Sequence, residues 1–321
     1  MLHETTPPED GPSQHTARAT SGPVPLSDAT ICIVGLGLMG GSLALALQGK
    51  VGAIVGADHD PGVVQAALEA GVIEGRAAME ENAGLSRLGI EAVGLTPARA
   101  EQPLRPDIVV LAVPAQAILH LIPRLSLQPG TLLLDLGSTK EIICRAMEAL
   151  PAGVLAVGGH PICGRAEGGL ANALPDLYLG APFVLCPTTR TTPRARALAE
   201  GLVTAAGAHP LWIDAARHDR LTALTSHLPH LLAFALMAQA LAAAEEDEAL
   251  WTLAAGGFAG ATRLARSDAA MVAGLLHTNR HALREKWIRF QRQCAALDAA
   301  LDDPAALERM LQPLVEARRE L

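Results

Sequence analysis

The hexapeptide Gly35-Leu-Gly-Leu-Met-Gly40 constrains this chain more than any other feature. It follows the β-rich run TICIV and opens the apolar run SLALALQG, which reads as a helix. Glycines at the first, third and sixth places permit a tight turn. They also let backbone N–H groups meet a pyrophosphate at the helix N-terminus, so Gly35, Gly37, Leu38, Met39 and Gly40 are expected to cradle a dinucleotide. A second strand, AIVGAD, ends at Asp58, 23 residues after Gly35. An acidic side chain there accepts hydrogen bonds from the adenosine ribose. Its charge repels a 2′-phosphate and so favours NAD over NADP, while a protonated His59 beside it offsets part of that repulsion.

The strand–helix alternation continues through PGVVQAALEAG, DIVVLAVP, AQAILHLIPRL, TLLLDLG, KEIICRAMEAL, VLAVGGHP, PFVLCPT, RARALAEGLVTAAG and HPLWID. Strands this apolar are buried on both faces, the pattern of a mostly parallel sheet sandwiched by helices. Residues 76–106 break the rhythm with mixed charge, and a surface excursion is expected there. Near Asp214 the sequence becomes almost wholly helical, with segments expected at about 217–245, 247–264, 268–301 and 304–319. The expectation is therefore an α/β protein in two domains: a Rossmann-type, doubly wound domain over 29–214 and an all-helical domain over 215–321. Residues 1–28 are rich in Pro, Ser, Thr and Gly without an apolar core segment, and read as a disordered leader rather than a secretory signal.

Composition excludes several classes. The formal net charge of −8 argues against a nucleic-acid partner. The longest uncharged stretch, Leu221 to Ala244, is interrupted by Ser226, His227, Pro229, His230 and Gln239, so a buried core helix is expected there rather than a membrane span. Five scattered cysteines (Cys32, Cys144, Cys163, Cys186 and Cys294) form neither a disulfide framework nor a zinc site, and suit a reducing cytoplasm.

Three further constellations carry chemistry. Pro114 closes DIVVLAVP, Ser138 and Lys140 lie in LDLGSTK, and His160 lies in VGGHPICG. All fall at the carboxyl ends of strands, where ligands of open α/β sheets bind. Flanking Gly159 and Pro161 hold His160 in a fixed turn, and Ser138 is expected to supply its orienting hydrogen bond. In TSHLPH, Ser226 and His230 share a face if the helix runs through Pro229; otherwise Pro229 is a first-turn residue and Ser226 or His227 lies near the cap. No acidic or Cys partner stands at ligand spacing, so no metal is expected. In GGFAGATRLARSD, Arg263 and Arg266 stand one turn apart, either as a solvated face or as an anchor for a carboxylate.

Jointly, GLGLMGGS, LDLGSTK, GGHPICG, TSHLPH and GGFAGATRLARSD resemble, in order and spacing over about residues 30–295, the prephenate/arogenate dehydrogenase family of tyrosine biosynthesis. The resemblance implies an NAD-binding Rossmann-type domain and a helical C-terminal domain through which two subunits dimerise. It implies oxidative decarboxylation of prephenate to 4-hydroxyphenylpyruvate, or of arogenate to tyrosine. It assigns His160 as the acceptor of the substrate hydroxyl's hydrogen bond, Ser138 as its positioning partner, Arg263 as the holder of the ring carboxylate, and Ser226 and His230 as lining residues. Where the family has a basic then an acidic residue after the Phe of its last motif, Ala259 and Gly260 follow Phe258. Arg165 is expected to replace the missing cation and meet the substrate's side-chain carboxylate.

Two other readings compete. One is a dehydrogenase of the same architecture acting on a small hydroxy or imino acid, which commonly uses a lysine on the first interdomain helix; none stands in Leu221 to Ala244. The other is a non-catalytic NAD-binding paralogue.

Overall fold

The computed structural model describes residues 25–82, 85–91, 105–165 and 167–320. Residues 1–24 of the expected leader lie outside the described residues. Its last three, Leu26–Asp28, form a 3-10 turn whose Leu26 packs against the core.

Nine strands form one sheet: β1 Thr30–Val34, β2 Ala53–Ala57, β3 Gly75–Asn82, β4 Leu85–Glu91, β5 Ile108–Leu111, β6 Leu132–Asp135, β7 Leu155–Pro161, β8 Pro182–Pro187 and β9 His209–Trp212. Their order is β4-β3-β2-β1-β5-β6-β7-β8-β9. All neighbours are parallel except β3 with β4 and β7 with β8. This is the mostly parallel, doubly wound sheet expected from the sequence. The excursion over 76–106 is corrected in part, because β3 and β4 build an antiparallel hairpin at the sheet's edge. Mixed charge disguised it, and an edge strand tolerates polar residues that a central strand does not. Residues 83–84 and 92–104 lie outside the described residues.

Alternation along β1 shows how the two layers are held. Ile31 and Ile33 face α1 (Leu38–Leu47) and α5 (Pro193–Ala205), joining Leu43, Leu47, Leu198 and Leu202. Cys32 and Val34 face the opposite layer, joining Ile118 of α3 (Ala115–Leu121) and Ile143 and Met147 of α4 (Glu141–Met147). On the first edge, α2 (Pro61–Glu69) starts with Asp60 as its cap, whose side chain accepts the Gly62 N–H. The direction of winding reverses between β1 and β5, which opens a crevice at the carboxyl ends of those strands.

Beyond Asp214, which caps α6 (Ala215–Thr222) by accepting the Arg217 N–H at 2.8 Å, every element is helical. A π-turn, Ala223–His227, joins α6 to α7 (Leu228–Glu246), so the helix does continue through Pro229. Proline lacks the N–H that an α-ladder needs there, and the widened turn takes up the mismatch. Then come α8 (Leu250–Leu253), α9 (Gly256–Thr262), a 3-10 turn Arg263–Arg266, α10 (Ala269–Thr278), α11 (Arg280–Asp298) and α12 (Pro304–Arg319). The expected single helix over 268–301 is broken at Asn279, whose side chain is committed elsewhere. The helix from Ala215 to Glu246 is long and apolar enough to cross a membrane, yet only 22% of its apolar window is buried within the chain. The expectation of a buried core helix is therefore met only in part by one chain. Leu236, Leu241, Leu253, Leu301 and Leu314 of the helical part are exposed as well.

Candidate active site

The glycine loop spans β1 and α1 at the crevice. Gly35 has φ +96°, and a Cβ there would come 2.5 Å from the Ala112 carbonyl oxygen, so only glycine fits. A Cβ on Gly40 would overlap the Gly35 carbonyl, which explains the close approach of helix to strand. Gly37 differs: a Cβ there would meet nothing within 4 Å, so its open side is space a ligand can enter. Gly37 is also the N-cap of α1 and brings no side-chain cap, leaving first-turn N–H groups of Leu38 and Met39 free to meet an anion. The Met39 carbonyl is held by the buried Tyr178 hydroxyl at 2.8 Å, which pins the segment after β7 across α1.

Asp58 follows β2. Its Oδ2 accepts the Leu36 N–H at 2.7 Å, tying the acid to the glycine loop, and Oδ1 accepts from Asp60 N at 3.1 Å and meets His59 Nδ1 at 2.8 Å. Of about four acceptor positions on a carboxylate, one is left for a ribose hydroxyl. Pro114 caps α3 at the end of β5, across the crevice from β1. A cradle shaped by glycines, an open helix N-terminus and an acid at the second strand's end fit a dinucleotide without 2′-phosphate.

The side that carries His160 is built around β6 and β7. Lys140 and Asp135 are both fully buried and paired, and Lys140 Nζ also donates to the Gly159 carbonyl at 2.7 Å. Asp135 in turn accepts the Gly137 N–H at 2.8 Å and the Gly159 N–H at 3.0 Å. Lys140 thus holds the strand that carries His160 and does not face the cleft. His160 is only partly buried, and its Nδ1 lies 2.8 Å from His218 Nε2. His218 Nδ1 lies 2.7 Å from Asp219 Oδ1, and the Asp219 carboxylate also accepts the Lys140 and Glu141 N–H groups at 2.8 and 2.9 Å.

This chain assigns protons. A carboxylate only accepts, so His218 carries its hydrogen on Nδ1 and presents a lone pair at Nε2. His160 must then donate from Nδ1, which leaves its Nε2 as an unprotonated acceptor. Burial first, and then the repulsion that a charge on His218, Lys140 or His227 would exert, pushes the His160 pKa well below the usual histidine value, so the ring is neutral at ordinary pH. Ser138 lies in the loop after β6 and takes no hydrogen bond among the described residues, whereas His218 contacts His160 Nδ1.

Ser226 lies in the π-turn, and its carbonyl accepts from His230 Nδ1 at 2.9 Å. His230 therefore carries a hydrogen on Nδ1. The turn bearing Arg263 and Arg266 packs against α7. Arg263 and Arg165 are exposed and have no ion-pair partner among the described residues; Ala166, beside Arg165, lies outside them. Sequence reasoning missed His218, Asp219 and Asn279. The adjacent His-Asp pair about two turns before TSHLPH was the available signal.

An α/β sheet whose glycine loop fits a dinucleotide, joined to a helical part that carries the hydrogen-bond partner of a neutral histidine, is the build of a two-part dehydrogenase. Two family models match the chain: "Prephenate dehydrogenase, nucleotide-binding domain" over residues 42–211 and "Prephenate dehydrogenase, dimerization domain" over 214–314. The chain belongs to the prephenate dehydrogenase family. It is 32% identical over 275 residues to the prephenate dehydrogenase of Bacillus subtilis, covering 81% of this chain and 67% of that one. The structure is similar to prephenate dehydrogenase from A. aeolicus in complex with hydroxyphenyl propionate and NAD+, with a TM-score of 0.78 at 27% identity over 92% of this chain and 99% of that one. It is also similar to Synechocystis arogenate dehydrogenase, with a TM-score of 0.69 at 26% identity over 91% and 99%.

Proposed function

We propose that the chain is an NAD-dependent prephenate dehydrogenase that converts prephenate to 4-hydroxyphenylpyruvate and CO2. The observation that carries this reading is the Asp219–His218–His160 chain, which leaves His160 Nε2 as a neutral acceptor at the carboxyl end of β7. When bound, NAD supplies the hydride acceptor. Gly35, Gly37, Leu38, Met39 and Gly40 would receive its pyrophosphate, Asp58 its adenosine ribose, and Pro114 and Ser138 would border the nicotinamide.

The chain's own residues position and move one proton. His160 accepts the hydrogen bond of the ring hydroxyl and takes its proton as the carbinol carbon is oxidised. Loss of CO2 from the opposite ring carbon returns electrons to that oxygen, and His160 gives the proton back to the phenol. Aromatisation supplies much of the driving force, so the protein mainly orients groups. Arg263 would hold the ring carboxylate and Arg165 the side-chain carboxylate, with Ser226 and His230 lining the pocket. Arogenate differs from prephenate only in an amino for a keto group on the side chain, and the same assay decides between them.

The reading includes a division into a sheet domain over 29–214 and a helical domain over 215–321, and a homodimer formed through the second. The apolar surface of α7 left bare by one chain supports that assembly. Five free cysteines suit a cytoplasmic protein. The test is reduced-nicotinamide formation by purified protein, with prephenate and arogenate each crossed with NAD and NADP. Turnover that falls about a hundredfold in His160→Asn supports the reaction and the residue. No turnover in any combination overturns it.

A further inference from the structure

Tyr178, the single tyrosine of the chain, is wholly buried in the segment between β7 and β8, and its ring stacks on Phe183 of β8 with centroids 6.3 Å apart. Its hydroxyl donates to the Met39 carbonyl in the first turn of α1 at 2.8 Å. Burial raises the Tyr178 pKa well above the usual phenol value, so the hydroxyl keeps its hydrogen and remains a donor. A buried hydroxyl needs an acceptor, but a carbonyl inside a helix already accepts the ladder bond from four residues on. The tyrosine therefore adds a second donor to a peptide unit that was not short of one.

That peptide unit joins the Met39 carbonyl to the Gly40 N–H. The ladder of α1 begins one residue later, where the Gly41 N–H donates to the Gly37 carbonyl at 2.9 Å. The Gly40 N–H makes no hydrogen bond among the described residues, so it is the last free donor of the first turn, which Gly37 caps without a side chain. A donor placed on the carbonyl of a peptide polarises the whole unit and makes its N–H a stronger donor, as along any hydrogen-bonded chain. Two further contacts seat the tyrosine's segment on α1. The buried Ser42 Oγ accepts the Leu174 N–H at 2.9 Å, and a Cβ on Gly41 would come 2.8 Å from Leu170 Cδ1 and 3.0 Å from Ala173 Cβ, so only a glycine lets the segment lie this close.

We propose that Tyr178 is a positioning residue for the dinucleotide, whose hydroxyl acts through the Met39–Gly40 peptide to orient and strengthen the Gly40 N–H that receives the pyrophosphate. The inference rests on the cradle assigned above and deepens it. An anion gains more from a polarised N–H than a neutral ligand does, so the effect belongs to ligands that carry the pyrophosphate and not to those that lack it.

The test needs no turnover. Titration calorimetry on the full chain measures the affinity for ADP-ribose, which carries the pyrophosphate, and displacement of ADP-ribose measures the affinity for adenosine, which lacks it. Tyr178→Phe keeps the ring and removes the donor; it is expected to weaken ADP-ribose binding about threefold to tenfold and to leave adenosine affinity unchanged. Ser42→Ala removes another hydrogen bond between the same segment and the same helix without touching the Met39–Gly40 peptide, and is expected to leave both affinities unchanged. Equal losses for both ligands in Tyr178→Phe, as a deformed site gives, an unchanged ADP-ribose affinity, or the same selective loss in Ser42→Ala overturns the proposal. Failure of wild type to bind ADP-ribose overturns the cradle assignment itself.

Discussion

His160 Nδ1 stands 2.8 Å from His218 Nε2, and this contact decides which nitrogen of His160 is engaged and which is left over. Because Asp219 accepts from His218 Nδ1, the whole chain of protons points one way, and His160 Nε2 is left free to accept. When His160 takes a proton, the Asp219 carboxylate offsets the new charge through His218.

Asp219→Asn is therefore expected to lower kcat by about tenfold to a hundredfold with little change in KM, since it disturbs the base and not the substrate anchors. The amide can turn its NH2 toward His218 Nδ1 and reverse both tautomers. Steady-state kinetics read this directly, and an unchanged kcat removes the relay from the mechanism.

Asp58→Ser removes the charge that faces the adenosine 2′ position. The ratio of kcat/KM for NAD over NADP is expected to fall by about tenfold or more, with kcat on NAD little altered. An unchanged ratio assigns discrimination to another residue.

Arg165 and Arg263 are exposed cations without ion-pair partners among the described residues, free to meet a dianionic substrate. Arg263→Ala and Arg165→Ala are each expected to raise KM by about tenfold to a hundredfold, the cost of one charge-assisted contact. A KM for prephenate unchanged in Arg165→Ala removes that residue from the pocket.

His227 titrates at about 4 in the folded chain against 6.5 for an ordinary histidine. The unfolded chain binds this proton first, so stability is fully present above about 6.5 and is lost as pH falls through that value toward 4, by about 3 kcal/mol from this group. Urea unfolding at pH 7 and pH 4.5 reads the difference. His227→Leu is expected to flatten the dependence.

Lys140→Met leaves the Asp135 carboxylate buried and unpaired at the root of β7. Breaking such a pair costs about 3–5 kcal/mol. The unfolding midpoint is expected to fall accordingly, and a change under about 1 kcal/mol means that water or another group replaces the ammonium.

The sheet core was legible from residues alone, because apolar runs such as TICIV and DIVVL bury both faces wherever they are placed, and turn glycines act within a few residues of themselves. The glycine loop, Asp58 and the place of His160 at a strand end followed from that local grammar. The β3–β4 hairpin did not, since an edge pair needs no apolar alternation. The break at Asn279 was equally hidden, because the sequence around it has helical periodicity on both sides.

What only the tertiary structure decided is the protonation pattern of the site. His218 meets His160 across 58 residues of sequence, and Asn279 meets Asp219 across 60. Such contacts leave no period in the sequence. They exist because the helical part docks against the carboxyl ends of the strands, where Asp219 caps α4 of the sheet layer and orients a histidine of its own helix. The sequence by itself determined which chemical groups are present and on which element each is carried. Docking determined which nitrogen of each ring donates and which accepts, because a histidine's tautomer is set by the partner it meets and not by its neighbours in the chain.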